Sequence, residues 1–511
     1  MGISMRGAHL YVYNMLRLSK NSMAQIQIVI IAVYMGALLC VGAWIARRQK
    51  NLRDYFLGGR SIPSWAVLLA VVATETSSVT YVGTPSIAYT GSMTFLQLVL
   101  GFVAARVILA VYFLPAFFRE EIYTIYAHLG KRFGVEVQRV AGLFFFVTRA
   151  LAAGVRHYCA ALVLFTVTDW SMTISILLMG LVSLVYTVLG GLSAVIWTEV
   201  FQMLVMLAGA GIAFFQILHL LPGGWERFVD IASEAGKFQV FDLSSPFRLS
   251  YTFWSGLIGG TFLTLASHGA DQDLVQRLLS CKSLRGAKCA IIGSGLLVFA
   301  QFTLFLLIGA MLYVFYPEPP AGLEKSDQIF PYFIRTQFNP LVGGLVIAAI
   351  FAAAMSSTAS ALNSLSATTV TDFIRPFFGD TLDPSREIRW SRWVTVAWCV
   401  LLMAIAYGAQ GSTNILETGL KVTTFTYGSL LGSFLLAIFT SVRSQRAVTI
   451  GMCAGVIAVL VVYRLFHSYI FWVWYIPLAV LVTCVLTGLL SMTDRRDRRD
   501  RHVSDPPSES G

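Results

Sequence analysis

The stretch IFAAAMSSTASALNSLSATTVTD, Ile350–Asp372, decides how the chain is read. It lies in an apolar run long enough to cross a bilayer, yet it is crowded with hydroxyls. At helical spacing Ser357, Ser360 and Ser364 fall at i, i+3 and i+7 and share one face. Ser356, Ser360 and Asn363 widen that face, and alanines fill much of the remainder. Two readings stand side by side. One is a small-residue packing face whose hydroxyls bond back to their own helix. The other is an oxygen-lined cradle for a hard cation such as Na⁺, which wants hydroxyl and carbonyl oxygens and no soft ligand.

The totals set the class. Of 511 residues, 57% are hydrophobic and only 12% are charged, where a soluble domain carries about 25% charge. The chain therefore reads as an all-α polytopic membrane protein. Apolar runs of about 20 residues exclude a β-barrel, whose strands alternate over about 10. The net charge of +11 does not indicate a nucleic-acid partner, because Lys and Arg cluster in short segments between apolar runs. The seven cysteines lie within or beside apolar segments, which argues against a disulfide framework.

Taken in order, residues 1–25 form an N-terminal extension too polar for a signal peptide. Its Arg6, Arg17 and Lys20 sit awkwardly for an external segment, and translation from Met23 would remove them. An additional first helix occupies 26–47, followed by the basic segment Arg47–Asn51. Apolar runs at 63–220 and 250–441 each accommodate five spans, and 447–491 accommodates two more, about 13 in all. Threaded alternately, Lys131, Arg132, Arg277, Lys282, Arg386 and Arg443 fall on one side with the tail Arg495–His502. That asymmetry places the N-terminus outside and the C-terminus in the cytoplasm of a plasma (inner) membrane protein. The basic tail, 492–511, reads as disordered.

Two spans look interrupted. Ala73–Gly83 reads ATETSSVTYVG and Thr264–Gln272 reads TLASHGADQ, with Gly269 as a breaker. They are five spans apart. Broken helices at matching places in two five-helix halves indicate an inverted repeat with a site at the midplane. Unwound backbone at that depth is tolerated only around a cavity or an ion.

These segments also carry a resemblance. YFLGGRSIPSW (55–65), ATETSSVTYVGTPSIAYTG (73–91), YFLPAFFREEIYTIYAHLGKRFG (112–134), GGLSAVIWTEVFQ (190–202), HGADQDLVQRLLSCKS (268–283) and AAAMSSTASALNSLSATTVTDF (352–373) resemble, in order, segments of the sodium:solute symporter family. The resemblance implies a LeuT-type 5+5 inverted repeat with broken first and sixth core helices. It implies a Na⁺ site from the carbonyls of Ala73, Thr76 and Ala353 and the hydroxyls of Ser356 and Ser357. A second ion site of some members uses an acid of the fifth core helix. Here Glu199 and Ser360 stand at two of its positions, while Ala359 replaces a serine. Glu199 could relay an ion or a proton, or pair with Thr198 or Gln202.

The same resemblance implies a solute cavity near Ser77, Ser78, Thr80, Phe95, Gln97, Ser267 and His268. Charges within spans add Arg149, Arg156 and Lys421. A guanidinium suits a carboxylate because its fork is bidentate and permanently charged. Either arginine could instead pair with Glu75, and Lys421 could snorkel to the interface. The expected function is Na⁺-coupled import of a small organic solute, with an organic anion favoured. A neutral solute such as a sugar, and proton coupling through Glu75, Glu199 or His268, stand as alternatives. No GxxxxGK[ST] loop or metal-ligand cluster appears, so neither ATP hydrolysis nor an enzyme is expected.

Overall fold

The computed structural model describes residues 29–30, 32–37, 40, 60–119, 124–168, 170–245, 251–320, 323, 326–378, 384–411 and 415–504. Among these the regular structure is helical, apart from a single bridge between Ile62 and Cys281. The expected N-terminal extension, the alternative start at Met23 and most of the additional helix 26–47 lie outside the described residues.

The first core helix is two pieces, α1 (Ser64–Glu75) and α2 (Ser78–Thr90), bent by 64°. Local chemistry causes the break. Thr76 (φ −80°, ψ 100°) and Ser77 (φ −101°, ψ 171°) are extended. Ser77 Oγ accepts from Thr80 N at 3.4 Å, and Thr80 Oγ1 accepts from Ser77 N at 3.3 Å. This reciprocal box starts a new helix where the old one would have continued. After a 3₁₀ turn at Met93–Phe95, α3 (Leu96–Ile108) passes through a π turn, Leu109–Phe113, into α4 (Leu114–Phe118). The short α5 (Ile125–Phe133) leads to α6 (Val135–Thr168) and α7 (Met172–Leu220). The segment after it carries an amphipathic helix, α8 (Gly224–Glu234), which buries Phe228 and Ala232.

The second half repeats the pattern. α9 (Phe253–Gly269) stops at Ala270, and Asp271 caps α10 (Gln272–Leu279) by accepting from Asp273 N at 2.9 Å. Then come α11 (Leu284–Phe315), α12 (Ile329–Gln337) and α13 (Pro340–Thr368), the last ending in a π turn, Thr369–Ile374, and α14 (Arg375–Phe378). The chain closes with α15 (Pro384–Gly408), α16 (Ile415–Phe439), α17 (Gln445–Phe466) and α18 (Tyr475–Ser504).

α13 lies at the centre. It packs on α7, α6, α15 and α1, and every residue from Val346 to Thr368 is buried. Close approach of backbones is widespread. A Cβ on Gly101 of α3 would lie 2.6 Å from Leu257 O, and one on Gly260 of α9 would lie 2.3 Å from Leu98 O. Lipid supplies no hydrophobic drive between helices, so such small-residue contacts carry the association.

Nine helices among the described residues are long and apolar enough to cross a membrane, and the bent α1–α2 pair makes ten. Three other expected spans fail that test for visible reasons. The helix at 26–47 is largely outside the described residues. The apolar segment Met172–Val185 is short, and α9 is cut at 17 residues by its break. The short segment Met172–Val185 and Leu192–Leu220 are joined within α7 by a stretch that includes Gly190 and Gly191. Leu192–Leu220 passes the test by itself. The tail also differs from expectation: α18 continues as helix to Ser504. The repeat Arg495–Arg501 sets Asp497 four residues before Arg501, a spacing that supports a helix.

Candidate cation and solute site

The break in the first core helix frees two carbonyls. In a continuous helix Ser77 N would close on Ala73 O, and Thr80 N on Thr76 O. Both amides are diverted into the Ser77–Thr80 box. α13 supplies hydroxyls at this point. Ser356 Oγ lies 3.1 Å from Ala73 O and 3.0 Å from Ala353 O, and Ser357 Oγ lies 3.2 Å from Ala353 O. Thus Ala73, Ala353, Ser356 and Ser357 meet in one buried cluster. Thr76 is the extended residue next in line, and its hydroxyl donates to Gln301 Oε1 at 3.0 Å. The donor set is neutral oxygen throughout, which fits Na⁺ and suits no transition metal. Each hydroxyl, now donating to a carbonyl, can rotate to present a lone pair to a cation.

A cavity of about 110 Å³ opens beside this cluster, between the two breaks. That is several times the roughly 10–15 Å³ that one water needs, so the space is of solute size. Its apolar wall holds Phe95, Phe102 and Phe302, with Phe95 and Phe302 stacked at 5.3 Å. Its polar wall includes Ser77, Thr80, Ser267 and His268, and Ser267 Oγ pairs with His268 Nδ1 at 2.9 Å. Arg149 and Arg156 both reach it.

Behind the cavity lies a network of buried ions. Arg149 Nη2 meets Asp271 Oδ2 at 2.7 Å, and its Nη1 meets Asp273 Oδ2 at 3.1 Å. Arg277 grips Glu199 with Nε at 3.0 Å and Nη2 at 2.6 Å, and reaches Asp273 Oδ1 at 3.0 Å. Ser360 Oγ donates to Asp273 Oδ1, Tyr427 Oη to Asp271 Oδ2, and Thr74 Oγ1 to Glu199 Oε1. Arg106 of α3 is paired with Glu75 and lies 3.3 Å from His268 Nε2. Arg156 makes no ion pair or hydrogen bond among the described residues.

Several expectations change. Glu75 takes Arg106 as its partner, neither Arg149 nor Arg156. The cause is the α9–α10 break, which turns Asp271 and Asp273 toward Arg149 and satisfies it there. Glu199 pairs with neither Thr198 nor Gln202. Thr198 bonds back to Ala194 O and Val195 O, and Arg277 takes both Glu199 oxygens. Glu199 is thus held by Arg277, while Ser360 donates to Asp273. Gln97 is not a cavity residue: it ties Tyr251 O (2.7 Å), Thr94 O and Asp242 N together. Ser78 is fully buried and does not line the cavity. Lys421 sits on α16, with its side chain outside the described residues. Arg277 reads in the sequence as an orientation charge, yet it has no exposure. Arg106 and Arg277 could have been noticed as charges flanked by apolar residues, but their partners come from distant elements.

The model of the sodium:solute symporter family matches residues 55–457. The chain belongs to this family. The family member is 31% identical to the sodium/sialic acid symporter SiaT of Proteus mirabilis, over 84% of this chain and 87% of that one. It is 30% identical to the human sodium/iodide cotransporter over 81% of its length. It is 31% identical to the human sodium-coupled monocarboxylate transporter 1 over 80%. It spans about two thirds of these two human relatives, 66% and 67%. A solved Na⁺-coupled sialic acid symporter, substrate-bound and outward-open, superposes with TM-score 0.84 at 28% identity, covering 92% of this chain and 98% of that one. Mhp1 in a closed conformation gives 0.58 at 13% identity, covering 86% and 94%, a likeness of fold alone. The family member is thus a multi-pass membrane protein with the LeuT-type inverted repeat of sodium-coupled symporters.

Proposed function

We propose that this chain imports a small organic monoanion together with Na⁺ across the plasma (inner) membrane by alternating access, without covalent chemistry. The observation that carries the anion is Arg156. Arg106, Arg149 and Arg277 are each held by a carboxylate, whereas Arg156 stands in the cavity wall with no partner among the described residues. Its guanidinium makes no ion pair or hydrogen bond of its own among the described residues, and a substrate carboxylate would supply one. The ring wall of Phe95, Phe102 and Phe302 accepts the apolar body of the solute, and Ser77, Thr80 and Ser267 accept its polar groups. Na⁺ at Ala73, Thr76, Ala353, Ser356 and Ser357 ties α1 to α13. It favours the state in which the solute site is formed, so each ligand tightens the other.

The names of the relatives support this reading, since sialic acid, monocarboxylates and iodide are all anions. The test is uptake by the purified chain in proteoliposomes, with labelled sialic acid, short monocarboxylates, a hexose and a neutral amino acid. Each is offered with inward Na⁺, with K⁺, and with an inward proton gradient in Na⁺-free buffer. Uptake of a carboxylate that collapses in K⁺ is the expected result. Uptake of the hexose alone would refute the anion, and uptake driven by protons without Na⁺ would refute the ion.

A further inference from the structure

We infer that Glu75 selects among anions: its free carboxylate oxygen accepts a hydrogen bond from a hydroxyl on the solute, so that hydroxylated monocarboxylates are taken over bare ones. This rests on the proposed Na⁺–anion symport and adds a second recognition point to its solute site.

The observation lies at the break in the first core helix. Glu75 is the last residue of α1, and its side chain is 17% exposed where it lines the cavity. Its partner Arg106 stands behind it, with a side chain only 1% exposed. Arg106 is held on several sides. It meets Glu75 Oε2, donates to Phe102 O and to Ser294 Oγ at 3.2 Å each, and lies 3.3 Å from His268 Nε2. A guanidinium carries donors only, so His268 Nε2 accepts and the ring proton sits on Nδ1, toward Ser267 Oγ at 2.9 Å. Glu75 Oε2 is thereby engaged. Glu75 Oε1 makes no hydrogen bond among the described residues.

Two unpartnered groups of opposite kind therefore face one cavity. The Arg156 guanidinium only donates, and Glu75 Oε1 only accepts. A carboxylate on the solute answers the first, and a donor on the same solute answers the second. A solute without a donor strips water from Glu75 Oε1 and returns nothing, which is costly for a charged acceptor. The donor is a hydroxyl and not an ammonium, because Arg106 already balances the Glu75 charge. An ammonium would set a second cation beside that guanidinium, where like charges repel strongly in a poorly hydrated site. Held from behind, the Glu75 carboxylate is already in place when the solute arrives, so little ordering cost is left for binding.

The experiment measures Na⁺-driven uptake by the full chain in proteoliposomes, using labelled acids that differ at one feature. Propionate, lactate and alanine carry hydrogen, hydroxyl and ammonium at the same carbon. Cyclohexanecarboxylate and glucuronate extend the comparison to a ring, and glucose lacks the carboxylate. In each pair transported, the hydroxylated acid should show a Vmax/KM roughly 10–100-fold above the bare acid, the worth of a hydrogen bond to a charged group. Alanine should do no better than propionate. Equal values for bare and hydroxylated acids overturn the inference and leave Na⁺–anion symport intact, and a preference for alanine over lactate overturns the hydroxyl. Uptake of none of these acids, whether or not glucose enters, overturns the proposed function instead. Glu75→Gln leaves an amide oxygen for Arg106 and turns an N–H donor to the cavity, so the hydroxyl advantage should vanish. Glu75→Leu with Arg106→Met removes the pair together, a replacement that buried ion pairs often tolerate, and its ratio should fall to about one. Because the ratio is taken within one variant, a general loss of transport does not mimic the effect. A hydroxyl preference retained in the folded double variant removes Glu75 from the explanation.

Discussion

Single residues divide into those that hold the protein together and those left free to hold a ligand. Ser356 and Ser357 are proposed for the second group: the Ser356 hydroxyl meets the freed Ala73 carbonyl, and both hydroxyls share Ala353 O of their own helix. Replacing both by Ala removes two neutral ligands, each worth about 1 kcal/mol net. The apparent Na⁺ affinity of uptake should therefore fall by roughly 10–30-fold, measured from rates against Na⁺ concentration. An unchanged Na⁺ dependence would exclude this cradle. Arg149 and Arg156 make the sharper contrast, because the sequence treats them alike. Arg149→Gln leaves Asp271 and Asp273 without a shared cation and should cost about 3–5 kcal/mol of stability, read as a fall in Tm. Arg156→Gln breaks no pair, so Tm should hold. The KM for the anion should rise by about 10–100-fold, the worth of a charge-assisted contact. A similar Tm loss in both variants would make Arg156 a structural ion after all.

Some elements meet at glycines, where backbones touch directly. α3 and α9 cross so closely that a Cβ on Gly260 would lie 2.3 Å from Leu98 O. Backbone cannot yield as a side-chain tip can, so Gly260→Ala should destabilise by about 1–3 kcal/mol. Gly211, inside α7, has nothing within 4 Å of the same position. Gly211→Ala should stabilise by about 0.5–1 kcal/mol, since Ala restricts the unfolded chain and favours helix. Opposite shifts in Tm are thus expected from one substitution type, and the same sign in both would contradict the packing described. The breaks follow a comparable local logic. Ser77–Thr80 and Asp271 are capping chemistry placed mid-span, so the interruption of both helices was legible from residue types alone.

At the scale of the molecule, the proposed Na⁺ site would join α1 of the first repeat to α13 of the second. A ligand that binds only the folded state adds about 2.7 kcal/mol at a hundred times its Kd. Na⁺ should therefore raise the Tm of the purified chain, and K⁺ at equal ionic strength should not. Equal shifts from both salts would mean the cradle is not selective. Lys237 reinforces the C-terminal end of the broken helix: it donates to Tyr89 O at 2.7 Å and Gly91 O at 2.9 Å, and lies over the Tyr313 ring. A single loop lysine thus anchors the end of α2, an arrangement that sequence spacing does not disclose.

Read by itself, the chain determined its membrane class, the two breaks and the oxygen-rich face of Ile350–Asp372, because each depends on composition or on neighbours within one helical turn. The pairing of charges was decided only in three dimensions. Glu75 with Arg106, Glu199 with Arg277, and Arg149 with Asp271 and Asp273 join elements far apart in sequence. A buried charge takes its meaning from whatever counter-charge the fold sets within about 4 Å. Spacing along the chain carries no record of that distance.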